Sequence, residues 1–234
     1  MFNFAFATLV AIIIQGNSCV GNRDYGPLEK ETRKVSDFNA IEVSHGIDVY
    51  LTMGSREFLE VETPEDLLEH LVTEVKGGKL KIYFDRSFNW NNETKVYIQA
   101  KNIESINTSG GSDVFGENKL ETKELELKAS GGSDIKLQVD TKSLDVNVSG
   151  GADIELSGQT VHLYANSSGG SDLKAFELIT QRANLEASGG SDIKVYVEEE
   201  LDAKASGGAD IEYMGTPRLI NSNSSSSGDI KKKK

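Results

Sequence analysis

The chain has 234 residues, enough for one large domain or two small ones, and a formal net charge of −12. This charge argues against a nucleic-acid partner, because binding to phosphate requires clustered Lys and Arg side chains. With 23 Gly but only 3 Pro and 1 Trp, the composition favours many short strands and tight turns over helices.

Residues 1–19 differ from the rest of the chain and are predicted to be a signal peptide. An apolar run from Phe4 to Ile14 is interrupted only by Thr8. It is too short to cross a bilayer as a helix, which needs about 20 residues, but it has the length of a signal-peptide hydrophobic region. The run is followed by GNSC, which ends in Cys19, the single cysteine of the chain.

Cys19 has no partner for an intramolecular disulfide, so its thiol needs another explanation. Small residues before a lone Cys resemble a bacterial lipobox, although Gly16 stands where that pattern usually has an aliphatic residue. We favour lipidation of Cys19 over a plain secretory signal with an incidental cysteine. Residues 20–36 are polar and aperiodic, and they are predicted to be a tether. The expected protein is an exported lipoprotein of the outer membrane or cell surface, in contact with the membrane only through its lipid anchor.

The section from residue 38 to 106 consists mostly of short alternating stretches typical of strands. The stretch VSHGIDVYL, which begins at Val43, aligns with later repeats and places Asp48 at the position of their aspartates. In PEDLLEHLVTEV, Pro64 and the two acidic residues after it indicate a helix start, but the stretch is short enough to be only a turn. We expect this section to be a less regular β-rich cap of the repeats.

A short motif recurs along the rest of the chain: SGG, then Ser or Ala, then Asp and an aliphatic residue. Its aspartates are 18 to 21 residues apart, at Asp113, Asp134, Asp153, Asp172, Asp192, Asp210 and Asp229. A period near 19 residues indicates a solenoid. Apolar and polar residues alternate between the motifs, which indicates strands. Residues 37–230 are therefore predicted to form one all-β domain, a parallel β-helix with a less regular N-terminal section.

The alternation also predicts the direction of each motif residue. If Val148 points inward, then Gly150 and Ala152 also point inward and Asp153 points outward. The position before each aspartate holds only small residues, as a crowded inner corner requires: Ser112, Ser133, Ala152, Ser171, Ser191 and Ala209. We therefore expect an exposed column of carboxylates. A mixed column should lie beside it, formed by Phe115, Lys136, Glu155, Lys174, Lys194, Glu212 and Lys231.

The lipoprotein-like start, the stretches FNAIEVSHGIDVYLTMG and LKIYF, and the serial SGGSDI repeats together resemble the bacterial family known as putative auto-transporter adhesin, head GIN domain. The resemblance covers roughly residues 38–230. It implies a right-handed parallel β-helix in the cell envelope, with adhesion as the proposed role and no established enzymatic site.

The aspartate column is a candidate cation site. GGSD looks like part of the calcium-binding nonapeptide GGxGxDxUx, but that motif must recur about every nine residues. We favour the alternative that each Asp accepts hydrogen bonds at its own turn, so no metal and no other cofactor is expected. The candidates for calcium are Asp113, Asp134, Asp153, Asp172, Asp192 and Asp210.

No catalytic residues are predicted. A polysaccharide hydrolase needs two carboxylates in different environments, and a lyase of this shape commonly needs a cation beside the acid, whereas the column offers carboxylates in nearly identical environments. The histidines, His45, His70 and His162, are far apart in sequence. We expect a non-catalytic scaffold that engages a glycan, an envelope protein or a second copy of itself. The rival is a calcium-binding or polysaccharide-active β-helix.

Two further surface features have alternative interpretations. Outward Tyr164, Phe176 and Tyr196 either form a strip for sugars or a protein partner, or stack on one another. The basic residues 231–234 are predicted to be a solvated tail rather than a binding site.

Overall fold

The computed structural model describes residues 25–88, 94–225 and 227–233. The predicted signal peptide, with Cys19, lies outside these ranges. The N-terminal section contains β1 (Leu28–Arg33), β2 (Ala40–Val43), β3 (Ile47–Met53), β4 (Phe58–Pro64), β5 (Leu71–Lys76), β6 (Lys79–Phe84), β7 (Thr94–Ala100), β8 (Ser105–Ser109) and β9 (Val114–Gly116). The repeats contain β10 (Leu120–Ser130), β11 (Asp134–Gly150), β12 (Asp153–Gly169), β13 (Asp172–Gly189), β14 (Asp192–Gly207), β15 (Asp210–Gly215), β16 (Leu219–Ser224) and β17 (Asp229–Lys232).

In the repeats each long strand makes one coil, from the Asp of one motif to the first Gly of the next. β11, β12, β13 and β14 span 17, 17, 18 and 16 residues. Neighbouring coils are parallel and in register, so that Asp134 stands opposite Asp153 and Ser149 opposite Ser168. The predicted parallel β-solenoid, with about 19 residues per coil, is confirmed.

Each coil presents two outer sides. The segment after the Gly-Gly turn, residues 134–138 in β11, contributes its outward side chains to what we call the aspartate face. The segment before the next turn, residues 143–149 in β11, contributes to the asparagine face, on which Asn147 stands opposite Asn166. The same two segments recur in every coil from β11 to β14.

The core lies between these sides, because every second residue of a strand points inward. One inward column consists of Ile135, Ile154, Leu173, Ile193 and Ile211, each at most 1% exposed. Full burial of such a side chain stabilises the fold by about 1.5–3 kcal/mol relative to exposure. The apolar alternation in the sequence is therefore the main determinant of the coil.

The small residue before each aspartate is fully buried, as predicted. The set comprises Ser112, Ser133, Ala152, Ser171, Ser191 and Ala209. A buried hydroxyl needs a partner, and Ser191 Oγ lies 3.0 Å from the carbonyl oxygens of both Ser167 and Ser188. The corner thus accepts Ser, which bonds to the main chain, or Ala, which needs no bond.

The prediction that Gly150 points inward is wrong. Gly150 and Gly151 are both exposed, because Gly150 adopts a φ of +77° and turns the chain out of strand geometry. Alternation resumes on the other side of the turn with buried Ala152. The turns also stack closely, since a Cβ on Gly169 would lie 3.1 Å from the carbonyl oxygen of Gly150.

The N-terminal section continues the solenoid, but its rungs do not follow chain order. β2 pairs in parallel with both β6 and β8, and β3 pairs in parallel with both β7 and β9. The rung of β2 and β3 therefore lies between the rung of β6 and β7 and the rung of β8 and β9. Antiparallel pairs, β1 with β4, β4 with β7 and β5 with β6, close this end. The expected cap is thus a set of antiparallel strand pairs, in which β5 and β6 form a hairpin.

The stretch after Pro64 forms a turn rather than a helix. Glu65–Leu67 makes a single 3-10 turn, and β5 begins at Leu71. Leu67 and Leu71 are both buried, so the turn packs against the core. Of the two alternatives that the sequence allowed, the turn is the one observed.

The folded domain extends beyond both ends of the predicted range, residues 37–230, into flanking strands. β1 lies within the predicted tether of residues 20–36 and pairs with β4 from Leu28↔Pro64 to Arg33↔Leu59. β17 includes Lys231 and Lys232 of the predicted basic tail; Lys232 stands opposite Tyr213 and is exposed. Charged side chains on an edge strand disfavour the addition of a further strand.

Candidate functional site

The motif aspartates form one column on the aspartate face. Strand register places Asp134, Asp153, Asp172, Asp192, Asp210 and Asp229 opposite one another. Asp113 and Asp48 continue the column, because Val114 pairs with both Ile135 and Val49. Neighbouring rungs are about 4.8 Å apart, so the column is a dense row of carboxylates, as the spacing predicted.

At its N-terminal end the column accepts main-chain hydrogen bonds. The N–H of Asp134 donates to Asp113 Oδ1 at 2.8 Å, and the N–H of Asp153 donates to Asp134 Oδ1 at 3.3 Å. Burial raises the pKa of the Asp113 carboxyl, and the negative charge of Asp134 acts in the same direction, against the hydrogen bond from Asp134. These aspartates therefore link one rung to the next through hydrogen bonds.

Farther along, lysines of the neighbouring mixed column neutralise the aspartates. Lys174 Nζ lies 2.6 Å from Asp153 Oδ2 and 3.8 Å from Asp172 Oδ2. The hydrogen bond to Asp153 raises the pKa of the Lys174 ammonium. Lys194 Nζ lies 3.9 Å from Asp192 Oδ2. These carboxylates thus already have a cationic or N–H partner within the protein: Asp113, Asp134, Asp153, Asp172 and Asp192.

The six calcium candidates do not converge on one point. Asp113, Asp134, Asp153, Asp172, Asp192 and Asp210 are spread along the rod at one residue per rung. In the part of the chain that the structure describes, no group of three or more His, Cys, Asp and Glu side chains is arranged to hold a metal ion. The column is geometrically a charged surface rather than a coordination cage.

The predicted mixed column is also present, and aromatic residues extend it. Lys136, Glu155, Lys174, Lys194, Glu212 and Lys231 stand in register. Toward the N-terminal end the column continues through Phe115, Tyr50 and Tyr97, with ring centroids 5.5 and 5.3 Å apart. Sequence reasoning missed Tyr50, although it lies two residues after Asp48 as Lys136 lies two residues after Asp134.

Tyr164, Phe176 and Tyr196 lie in different columns, so neither of the two alternatives, a shared strip or mutual stacking, describes them. Tyr164 lies on the asparagine face, opposite Asn184. Phe176 lies in an irregular part of β13, where the register with β12 and β14 shifts, and Tyr196 stands opposite Ile179 instead. Lys233 Nζ lies over the Phe176 ring, 4.3 Å from its centroid. Strict two-residue alternation failed here because β13 carries extra residues at this corner.

The asparagine face holds a groove that sequence reasoning did not find. We call it the Tyr164 groove; its volume is about 360 Å3. Tyr164, Asn184, Asp202 and Asn221 follow one another in register, as do His162, Arg182 and Glu200. The signal was available, since Tyr164, Asn184 and Asp202 each lie five residues before the first Gly of a motif.

Within the Tyr164 groove, several polar groups are only partly engaged. Arg182 Nη2 lies 3.4 Å from His162 Nε2, and Nη1 lies 3.4 Å from Glu199 Oε2. Arg182 Nε is buried and has no hydrogen-bond partner among the described residues. The His162 ring stacks beside the Tyr164 ring at a centroid distance of 6.5 Å and an interplanar angle of 17°. Asn221 Nδ2 donates to Asp202 Oδ2 at 3.2 Å.

The three histidines belong to separate environments. His45 occupies a turn with a φ of 72°, and its Nδ1 lies 2.8 Å from Ser44 Oγ. His70 is near Glu69 and Asp85 in the N-terminal cap. His162 lines the Tyr164 groove. No two of these histidines lie close together in the fold, in agreement with their separation in the sequence.

Over residues 25–88 and 94–233, apart from 226, no helix is long and apolar enough to cross a membrane.

The family described as putative auto-transporter adhesin, head GIN domain, matches residues 37–217. No protein with a curated description matches the chain. Among solved structures, a putative adhesin from Bacteroides fragilis is similar with a TM-score of 0.86 and 25% identity, covering 91% of this chain and 100% of that one.

Two further solved structures share the fold at lower identity. A putative lipid binding protein from Parabacteroides distasonis has a TM-score of 0.71 at 24% identity, over 89% of this chain and 98% of that one. A putative adhesin from Parabacteroides merdae has a TM-score of 0.71 at 18% identity, over 89% and 97%. At this identity the likeness concerns the fold alone.

Proposed function

The chain belongs to the putative auto-transporter adhesin, head GIN domain family, and on that premise we propose that it is a non-catalytic binding protein of the cell envelope. Its outer faces engage a glycan or an envelope protein. The observation that carries this proposal is the in-register repetition of outward side chains from β11 to β14. Repeated surface units along a rod suit extended, multivalent contact.

The aspartate face supports a binding role better than a catalytic one. A glycosidase separates the pKa values of two carboxylates by placing them in unlike environments. Here Asp153, Asp172 and Asp192 occupy equivalent positions, each with a lysine ammonium within 4 Å. Asp113 differs from these three in that burial raises the pKa of its carboxyl, and the main-chain N–H of its register neighbour Asp134 donates to it.

A glycan array probed with the full chain, combined with a calcium titration by calorimetry, tests this proposal. We expect retention on a subset of glycans or on isolated envelope material, without turnover of any glycan. Calcium should associate weakly and in a salt-sensitive manner, because lysines already neutralise much of the column. Cleavage of an arrayed glycan would overturn the non-catalytic role. Tight calcium binding at several equivalent sites, with a raised Tm, would make the aspartate column a metal site.

Attachment to the envelope is the second part of the proposal. An adhesin family points to a surface or exported protein, and the apolar run before Cys19 suits export followed by lipidation. Radiolabelled fatty acid should enter the wild-type protein and be absent from Cys19→Ser. Equal labelling of the two proteins would show that Cys19 is not lipidated. Export would then be tested separately, by cleavage of the signal peptide.

A further inference from the structure

We infer that the Tyr164 groove binds one neutral sugar ring of a glycan, with the ring stacked on Tyr164 and its hydroxyl groups bonded to Arg182, Asn184 and the Asn221–Asp202 pair. This inference rests on the proposed binding function and assigns it a place and a ligand class. The groove lies on the asparagine face, on the other side of the coil from the aspartate column.

Tyr164 supplies the apolar platform. It is 47% exposed, which makes it one of the few large hydrophobic side chains that the described surface leaves uncovered. Its register neighbours are Asp145 and Asn184, short polar residues that leave the ring accessible from both adjacent rungs. The C–H face of a pyranose is apolar and packs on an aromatic ring, whose face carries partial negative charge.

Sugar hydroxyl groups both donate and accept hydrogen bonds, so a sugar site needs both kinds of partner. Asn184 and Arg182 provide donors, and Asp202 provides an acceptor that Asn221 orients at 3.2 Å. The Arg182 guanidinium has five N–H donors but makes only two hydrogen bonds, both at 3.4 Å, near the long limit for such bonds. Its accessible donors are thus available to a ligand at little cost in existing bonds.

The charges around the groove select a neutral ring. Arg182 is the one cationic side chain among the groove's lining residues, which also include Glu200 and Asp202. Glu199 lies 3.4 Å from the same guanidinium. With these carboxylates nearby and a net charge of −12 on the chain, a carboxylated or sulfated sugar meets repulsion.

The size of the groove is suited to a single ring. Its volume of about 360 Å3 is at the low end of small-molecule sites, which span roughly 300–1,000 Å3. Because the groove is open at the surface, the affinity for one ring should be weak, with a Kd on the order of 1 mM. Tight binding to a cell surface would then come from many copies acting together.

The test uses the full chain and methyl glycosides of glucose, galactose and mannose, followed by saturation-transfer NMR and calorimetry. We expect saturable binding of at least one neutral glycoside. Tyr164→Ala should weaken it by about tenfold, whereas Tyr164→Phe should retain it, because the stacking ring remains. Arg182→Leu should weaken it as well. Phe176→Ala, which removes an aromatic ring from the other face, is the matched control and should bind like the wild type.

Several outcomes overturn the inference. No saturable binding of any neutral glycoside at about 50 mM, or equal binding by Tyr164→Ala and the wild type, removes the groove as a sugar site. Tighter binding of the methyl glycoside of galacturonic acid than of galactose contradicts the neutral ligand class. Unchanged thermal melts verify that the variants fold. If the wild type and Tyr164→Ala are retained equally on a glycan array, the proposed function stands and only this site fails; if neither is retained on glycans or envelope material, the proposed function itself fails.

Discussion

The turn before the aspartate column is built in two ways within one molecule. In the repeats it reads SGGSD, as in residues 188–192, with a fully buried Ser or Ala before the aspartate. In the rung of β2 and β3 it reads SHGID, residues 44–48, and the buried position is held by Ile47. His45 there adopts a φ of 72°, which is uncommon for any residue other than Gly.

The two turns differ because their neighbours differ. Each repeat turn stacks on another of its kind, so that a Cβ on Gly189 would lie 3.1 Å from main-chain atoms of Gly169. The turn of residues 44–48 contacts the repeat side through hydrogen bonds: the N–H of Gly46 donates to the carbonyl oxygen of Gly110 at 3.1 Å, and the N–H of Ile47 donates to Ser112 Oγ at 3.0 Å. A Cβ on Gly46 would meet nothing within 4 Å. The restriction of the turn positions to small residues thus comes from the stacking of similar turns on one another, and not from the conformation of a single turn.

The largest effect should come from Ile47→Ala. Ile47 is fully buried, so the variant leaves a cavity in the N-terminal core and should lose about 2–5 kcal/mol of unfolding free energy. Ile47→Val, which removes one methylene, is the control and should cost about 0.5–1.5 kcal/mol. Urea denaturation monitored by circular dichroism measures both. If Ile47→Ala and Ile47→Val unfold at the same urea concentration, this rung does not need its large inner residue.

Two glycine substitutions separate the effect of turn stacking on stability from the effect of backbone strain. Gly189→Ala forces a side chain onto a φ of +79° and against the Gly169 main chain, which together should cost roughly 2–4 kcal/mol. Gly46→Ala meets the same strain at a φ of +70° but open space, and should cost about 1–2 kcal/mol. Thermal melts of the two variants measure and compare these two losses of stability. Equal losses would mean that the close approach of the turns adds nothing.

A third experiment enlarges the inner corner of a repeat. Ala152 is fully buried, and Ala152→Leu should overpack the corner and cost about 1–3 kcal/mol. Ala152→Ser is the matched control and should be nearly neutral, because Ser171 in the next rung places its hydroxyl 2.9 Å from the carbonyl oxygen of Ser168. A melting curve for Ala152→Leu that coincides with the parent would show that the corner has room to spare.

The repeats could be predicted from the sequence because most of their residues follow the same two-residue alternation. The period between aspartates fixed the coil length, and the alternation placed Ile154 inside and Asp153 outside. The N-terminal rungs could not be ordered in this way. The position of β2 between β6 and β8 depends on pairings between segments more than 35 residues apart, and alternation within a segment carries no information about which neighbour it selects.

The candidate sites were predictable to a lesser extent. The aspartate column follows directly from the motif, but its partners do not, because the contact of Lys174 with Asp153 depends on a side-chain conformation. The Tyr164 groove was missed because its residues come from successive coils and differ in residue type, although Tyr164, Asn184 and Asp202 occupy the same position before a motif. In the bulged corner of β13 the register shifts between Ala175 and Ile179, so counting by strict alternation wrongly grouped Phe176 and Tyr196 with Tyr164.

The smallest expected effect concerns Asp113, where the column begins between the two kinds of turn. Burial raises the pKa of this carboxyl, so folding favours its protonated form. The resulting loss of stability is absent at a pH below the unfolded-state pKa of about 3.9 and is complete above the raised folded-state pKa. Asp113→Asn removes the titration and keeps an oxygen that can accept the N–H of Asp134, which lies 2.8 Å from Asp113 Oδ1. The variant should therefore have a higher Tm than the parent at about pH 7, with the gain fading toward about pH 3.

Asp192→Asn is the control for this experiment, because its carboxylate lies 3.9 Å from Lys194 Nζ. Removing that charge takes away a favourable ion pair and does not relieve the unfavourable burial of a charge. No gain in Tm is therefore expected at neutral pH. Differential scanning calorimetry of the parent and both variants over the acidic to neutral range gives the comparison. A gain for Asp113→Asn that does not depend on pH would show that packing, and not the buried charge, distinguishes the first aspartate of the repeats from those that follow it.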